Sequence, residues 1–275
     1  MLRLLNIEFH KLKYSKASKV LIIMYFVLLS SIALIAAIKF DIGPIKFHLA
    51  EMGIFNFPYI WHFNTFVSSL FKFFLLLVIV SMMANEYSNK TLKQNLIDGL
   101  SKKEFILSKF YTVIALALFS TIFVFIVSLI LGLIFSDYNE PSIIFSDLEF
   151  LLAFFVKLLG FFSFGLFLGI LIKRSAFAVG AMLVWAMLEG LTKLILYWKL
   201  RPNVDDIMQF LPLEAMGNLI NQPGSRLSAV KAVAEQVGED LSYDYAVHWY
   251  EVAIVLAWTA LFIFLSYRLL KKRDL

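Results

Sequence analysis

FYTVIALALFSTIFVFIVSLILGLIF, Phe110–Phe135, runs for 26 residues without one charged side chain. A helix rises ~1.5 Å per residue, so this stretch reaches about 39 Å, more than the ~30 Å hydrocarbon core of a bilayer. Comparable apolar runs lie on either side of it, at Val20–Ile38, Phe63–Ala84, Leu148–Ile172, Ala176–Trp198 and Tyr250–Leu270. None carries the hydrophilic face that a soluble helical bundle needs. Composition agrees: 61% of residues are hydrophobic and 16% charged, against roughly 45–50% and about 25% in soluble domains. The expected fold is an all-α polytopic membrane protein with six transmembrane helices, forming one domain over residues 1–275.

The segments between the spans orient the stack. Met1–Lys19, Asn85–Lys109, Lys173–Ser175 and the tail from Arg268 together hold 16 of the 25 Lys and Arg, but only 5 of the 20 Asp and Glu. The positive-inside rule places these segments, and with them both termini, on the cytoplasmic side of an inner membrane. Met1–Lys19 is amphipathic: Leu2, Leu5, Phe9 and Leu12 share one helical face, and Arg3, Asn6, His10 and Lys13 the other. A basic helix of this kind suits the membrane interface. With span one it reads as a retained signal-anchor, since no small-x-small cleavage site follows. Asp41–His62 carries Pro44, Pro58, Tyr59 and Trp61, which suit an interfacial turn and a short helix.

Several chemistries lack their residues. There is no cysteine, no G-x-x-x-x-G-K-[ST] phosphate loop and no H-E-x-x-H, and the four histidines are scattered outside the spans. No metal site, cofactor or catalytic role is expected on this chain, and no nucleic-acid partner.

The loop NEYSNKTLKQNLIDGLSKKEFILSK, Asn85–Lys109, carries the functional signal. Thr91–Asp98 can form a short helix with Leu92, Leu96 and Ile97 gathered on one side, and Gly99 suits its C-terminal cap. Ser101-Lys102-Lys103-Glu104 is a capping box that starts a new helix into span three. An apolar edge on a short cytoplasmic helix either seeks a protein partner or packs on the chain's own cytoplasmic ends.

At this loop the sequence resembles the membrane permeases of type-2 ATP-binding-cassette exporters. Those proteins carry a Glu and then a Gly-Thr-Leu after span two, a linker with Ser and basic residues, and a Lys entering span three. Here Glu86, Thr91, Leu92, Ser101, Lys102, Lys103 and Lys109 stand in that order, with Lys90 at the glycine and Leu100 in place of a proline. The start, Glu8-Phe9-x-Lys11-Leu12-Lys13, and the tail, Tyr267-Arg268 to Lys272-Arg273-Asp274-Leu275, are similar to the family's opening and ending. The resemblance implies that Asn85–Leu100 is a coupling helix seated in a separate nucleotide-binding subunit, which holds the ATP and Mg. The coupling residues it implies are Glu86, Thr91, Leu92, Lys93, Leu96, Ile97 and Leu100. It also implies a second permease copy or paralogue, and membrane lipids as neighbours.

Four charges fall inside spans: Lys72, Lys157, Glu189 and Lys193. Counted from the outer ends of their helices, Lys72, Lys157 and Glu189 lie at a similar depth, roughly 13 Å down at ~1.5 Å per residue. Such charges cost at least ~2.5 kcal/mol each at mid-depth and need partners or a water path. Glu189 and Lys193 are neighbours at i, i+4. The cluster is expected either to neutralise itself or to form a polar layer facing cargo in the outer half of a dimer cavity. Gly165–Gly169 and Ala176–Gly180 are small-x-x-x-small patterns expected to mark packing between spans. Leu200–Trp249 is too long for a plain connector. In it, Asp205–Leu211 and Leu213–Ile220 are short apolar segments, which the resemblance makes re-entrant helices over the cavity. Ser225–Leu241 is amphipathic.

The leading function is therefore a permease subunit exporting an amphipathic, lipid-like or peptide cargo, with ATP hydrolysed on another chain. A stand-alone secondary transporter and a non-transporting membrane assembly protein are the alternatives.

Overall fold

The computed structural model describes residues 2–37, 39–42, 45–48, 53–200, 204–226 and 244–273. The amphipathic start forms α1 (Leu2–Tyr14), and α2 (Lys16–Ala37) follows after a break at Ser15. The two meet at 92°. Leu5, Phe9 and Leu12 turn inward while Arg3, Asn6, His10 and Lys13 face out, as their spacing requires. If α2 crosses the bilayer, a right angle lays α1 along its surface.

Among the described residues, four helical stretches are long and apolar enough to cross a membrane: Lys102–Phe135, Pro141–Ile172, Ser175–Lys199 and Trp249–Lys272. Two bent pairs, at the chain start and at residues 59–88, raise the number to as many as six. The helices are α3 (Tyr59–Leu70), α4 (Lys72–Ser88), α6 (Lys102–Phe135), α8 (Glu149–Ile172), α9 (Ser175–Leu200) and α12 (Trp249–Lys272). Shorter helices are α5 (Thr91–Ile97), α7 (Pro141–Ile144), α10 (Val204–Met208) and α11 (Pro212–Asn218).

Two expectations change. The second span is not one straight helix over Phe63–Ala84: α3 and α4 meet at 45° across Phe71. Hydropathy continues through the break and so hides it. Among the described residues the fold is helical except for one antiparallel hairpin, β1 (Lys39–Ile42) against β2 (Ile45–His48), inside the connection expected to be turn and helix. The outer segment folds as α10 and α11, with a 3-10 turn at Pro223–Arg226. The amphipathic stretch Ser225–Leu241 lies outside the described residues from Leu227 onward.

The bundle is organised around α8, which packs against α4, α6, α9 and α12 and is buried over most of its length. Two glycines set its approach to α4. A Cβ at Gly165 would collide with Leu76 of α4, and one at Gly169 would press on Met83. That pattern packs spans together within the chain. Gly180 on α9 differs, since a Cβ there meets nothing within 4 Å. The outward face of α9, including Leu183, Met187, Leu191 and Ile195, is apolar and exposed, as a lipid or subunit contact must be.

Candidate functional site

The three motif segments, far apart in sequence, meet at one end of the bundle around a buried charge node. Lys109 enters α6 with a fully buried side chain and reaches Glu8 Oε2 at 2.7 Å and Glu86 Oε1 at 2.6 Å. Lys11 adds a bond to Glu86 Oε1 at 2.7 Å and lies 3.8 Å from Glu8. Two carboxylates and two ammonium groups thus neutralise one another across α1, α4 and α6. Such a set stands in a poorly solvated place only when complete, because removing one partner leaves an uncompensated charge.

The node also holds α5. Thr91 Oγ1 donates to Glu86 Oε2 at 2.6 Å and Asn95 Nδ2 donates to the same oxygen at 3.3 Å. Between Glu86 and Thr91 the chain turns sharply through Lys90, at φ 55°. This left-handed conformation favours glycine, the residue the related pattern carries there. Gly99 at φ 95° ends α5, and Leu100 N–H returns to Asn95 O at 3.0 Å. The capping box is complete: Ser101 Oγ accepts from Glu104 N–H, and Glu104 accepts from Ser101 N–H.

The tail joins the same end. Lys102 Nζ donates to Arg273 O at 2.9 Å, and Arg273 donates to Ile170 O and Leu171 O, the last carbonyls of α8, and to Tyr87 Oη. Cationic donors thereby satisfy carbonyls orphaned at the ends of α8 and α12. A cavity of about 300 Å³ opens beside the node, lined in part by Lys11, Ser15, Ser18, Asn85 and Glu86.

The seven loop residues divide. Glu86 is buried in the node and Thr91 bonds to it. Leu92 is buried in the core, with Leu96 and Leu100 half-buried against it. Lys93 and Ile97 face outward, Ile97 at 69% exposure. The apolar residues expected to share one side therefore split, because Leu92 and Leu96 cover the chain's own base while Ile97 points away from it.

The four intramembrane charges also divide, and the expected Glu189–Lys193 contact is replaced. Glu189 accepts from Trp185 Nε1 at 2.6 Å, from Leu213 N–H at 3.2 Å and from Glu214 N–H at 3.0 Å. Its carboxylate caps the start of α11, where Leu211 offers no side-chain cap. Lys193 pairs with Glu214 and lies 3.6 Å from Asp205. Lys157, buried beside α11, donates to Gly217 O at 3.2 Å and reaches Ile220 O at 3.5 Å. Helix α11 is thus held at its start by an anion and at its end by a cation. Lys72, at the start of α4, lies over the Phe161 ring at 4.7 Å. No carboxylate pairs with it among the described residues.

Glu8, Lys11, Lys109 and Arg273 belong to the recognised motifs but not to the expected site. A signal for Glu8 existed: it falls on the face of Leu5, Phe9 and Leu12, where a carboxylate needs a buried partner. Glu214 and Trp185 gave none, since their partners are set by how α11 folds back. No group of three or more metal-ligating side chains occurs among the described residues.

The chain is thus a polytopic helical bundle whose amino-terminal helix and first basic loop share a buried charge node, with the tail docked at the same end. A family profile described as ABC-2 family transporter protein matches residues 6–275, and the chain belongs to that family. It is accordingly an ABC-type membrane permease subunit. No curated protein matches the chain.

Proposed function

We propose that this permease forms one membrane domain over residues 1–275 and exports an amphipathic, lipid-like or peptide cargo. Its motor is a separate ATPase subunit that binds ATP and Mg. Both termini and α5 lie on the cytoplasmic side of an inner membrane, and α5 with its flanking turns is the coupling helix. The observation that carries this reading is the node: Glu86 and Thr91 tie α5 to α4, and Lys109 and Glu8 tie α4 to α6 and α1. A push on α5 therefore reaches three helices through ionic contacts instead of through a flexible loop.

Within that reading the seven residues have two tasks. Lys93 and Ile97 touch the ATPase, while Glu86, Thr91, Leu92, Leu96 and Leu100 transmit the movement. Two permeases, as copies or paralogues, enclose the cargo path, and α10 and α11 close it on the outer side. Of the four intramembrane charges, Glu189, Lys157 and Lys193 hold α11 in place. Lys72 is the cation offered to an anionic group on the cargo.

The test is co-purification with the phosphate-loop ATPase that this reading requires as its partner. The double substitution Lys93→Glu and Ile97→Glu should lower ATPase retention about tenfold or more, as loss of a buried interface anchor does. Yield and membrane insertion of the permease should be unchanged. Full ATPase retention by that variant would overturn the assignment of α5.

A further inference from the structure

A groove of about 640 Å³ runs along the angle where α1 meets α2, with α6 as its far wall. Its lining is apolar, with Phe9 from α1, Ile22 and Phe26 from α2, and Phe119, Ile122 and Ile126 from α6. Rings stiffen it: Phe9 meets Phe119 edge-on at 6.3 Å, and Phe26 meets Phe123 at 5.0 Å. Along α6 it extends from Leu116 to Ile126, about 15 Å at ~1.5 Å per residue, or half the ~30 Å hydrocarbon core. Its depth is that of one leaflet.

The charges are confined to one end. Lys13, in the last turn of α1, and Lys19, near the start of α2, line the groove on either side of the Ser15 elbow. Both side chains are exposed. Among the described residues neither has a carboxylate in ion-pair reach, whereas neighbouring Lys11 is committed to Glu86. An apolar slot one leaflet deep, with two uncommitted cations where α1 marks the interface, is complementary to an amphiphile with an anionic head. An apolar transmembrane helix seated here would leave both cations without a counter-charge.

We propose that this groove binds one anionic phospholipid from the leaflet beneath α1, with an acyl chain along α6 and the phosphate on Lys13 and Lys19. Basic pockets between membrane helices bind anionic head groups in this way. Its lining includes neither Lys72 nor any residue of α5. It wedges a lipid between α1, which carries Glu8 and Lys11 of the node, and α6, which carries Lys109.

Native mass spectrometry of the full chain in detergent tests this, with phosphatidylglycerol and phosphatidylcholine of identical acyl chains as probes. Phosphatidylglycerol adducts should be retained preferentially. Lys13→Gln and Lys19→Gln should each reduce that preference about fivefold, while Lys16→Gln and Lys271→Gln leave it intact. Equal retention of the two lipids, or an equal loss in the control variants, would overturn the proposal. A benzophenone side chain in place of Ile126 should give a lipid-sized adduct in membranes. A polypeptide-sized adduct, from a second copy or another protein, would overturn it as well.

Discussion

The two ends of this molecule solve the same electrostatic problem with different chemistry. At the basic end, Glu8, Glu86, Lys11 and Lys109 compensate one another as ions. At the other end, Glu189 and Lys157 are compensated by the unpaired backbone groups of α11, whose N–H and C=O ends they cap. An ion–ion node joins side chains on three long helices and resists their separation. The capped short helix is held instead by hydrogen bonds to its backbone ends and by one ion pair, Lys193 with Glu214. In the proposed function the first arrangement transmits force between helices, and the second forms a closure over the cargo path.

The comparison breaks most severely at Lys109. Lys109→Met leaves Glu8 and Glu86 facing each other without their buried cation and should cost about 3–5 kcal/mol. Thermal unfolding of the detergent-solubilised chain, followed by a fluorescence-detected size-exclusion assay, reads the loss. Near-normal stability would mean that the node is solvated and its ion pairs contribute little.

A second contrast lies at the α11 end. Lys157→Met leaves the Gly217 and Ile220 carbonyls without their donor and should destabilise by about 1–3 kcal/mol, with faster proteolysis after Leu211. Lys72→Met removes only a cation–ring contact of ~0.5–1 kcal/mol, so folding should hold while export falls. Vesicle transport assays beside unfolding curves separate the two. If both variants lose export with equal stability, the division drawn between these lysines fails.

The smallest expected effect is a gain. Lys90→Gly relieves the left-handed backbone between Glu86 and Thr91 and should stabilise by about 0.5–1 kcal/mol. A lower melting temperature would show that the Lys90 side chain makes a contact worth more than the relief.

What the amino-acid sequence determined by itself follows from local rules. Long apolar runs require membrane helices because a bilayer has no water for exposed backbone groups. The alternation of Leu5, Phe9 and Leu12 with polar residues specifies the face of α1, and Ser101 with Glu104 specifies where α6 starts. Family membership was legible too, since Glu86, Thr91, Leu92 and Lys109 keep their order whatever their contacts. The break at Phe71 was hidden because hydropathy measures solubility and carries no record of direction. Partners were decided only by the tertiary structure. Glu189 sits one helical turn from Lys193, yet α11 brings backbone N–H groups nearer and satisfies it better. Leu92 and Ile97 look equivalent in a short helix, but the base of the bundle lies against only one of them. Spacing along a chain fixes which face a side chain occupies, whereas its compensation depends on distant segments that arrive only when the helices pack.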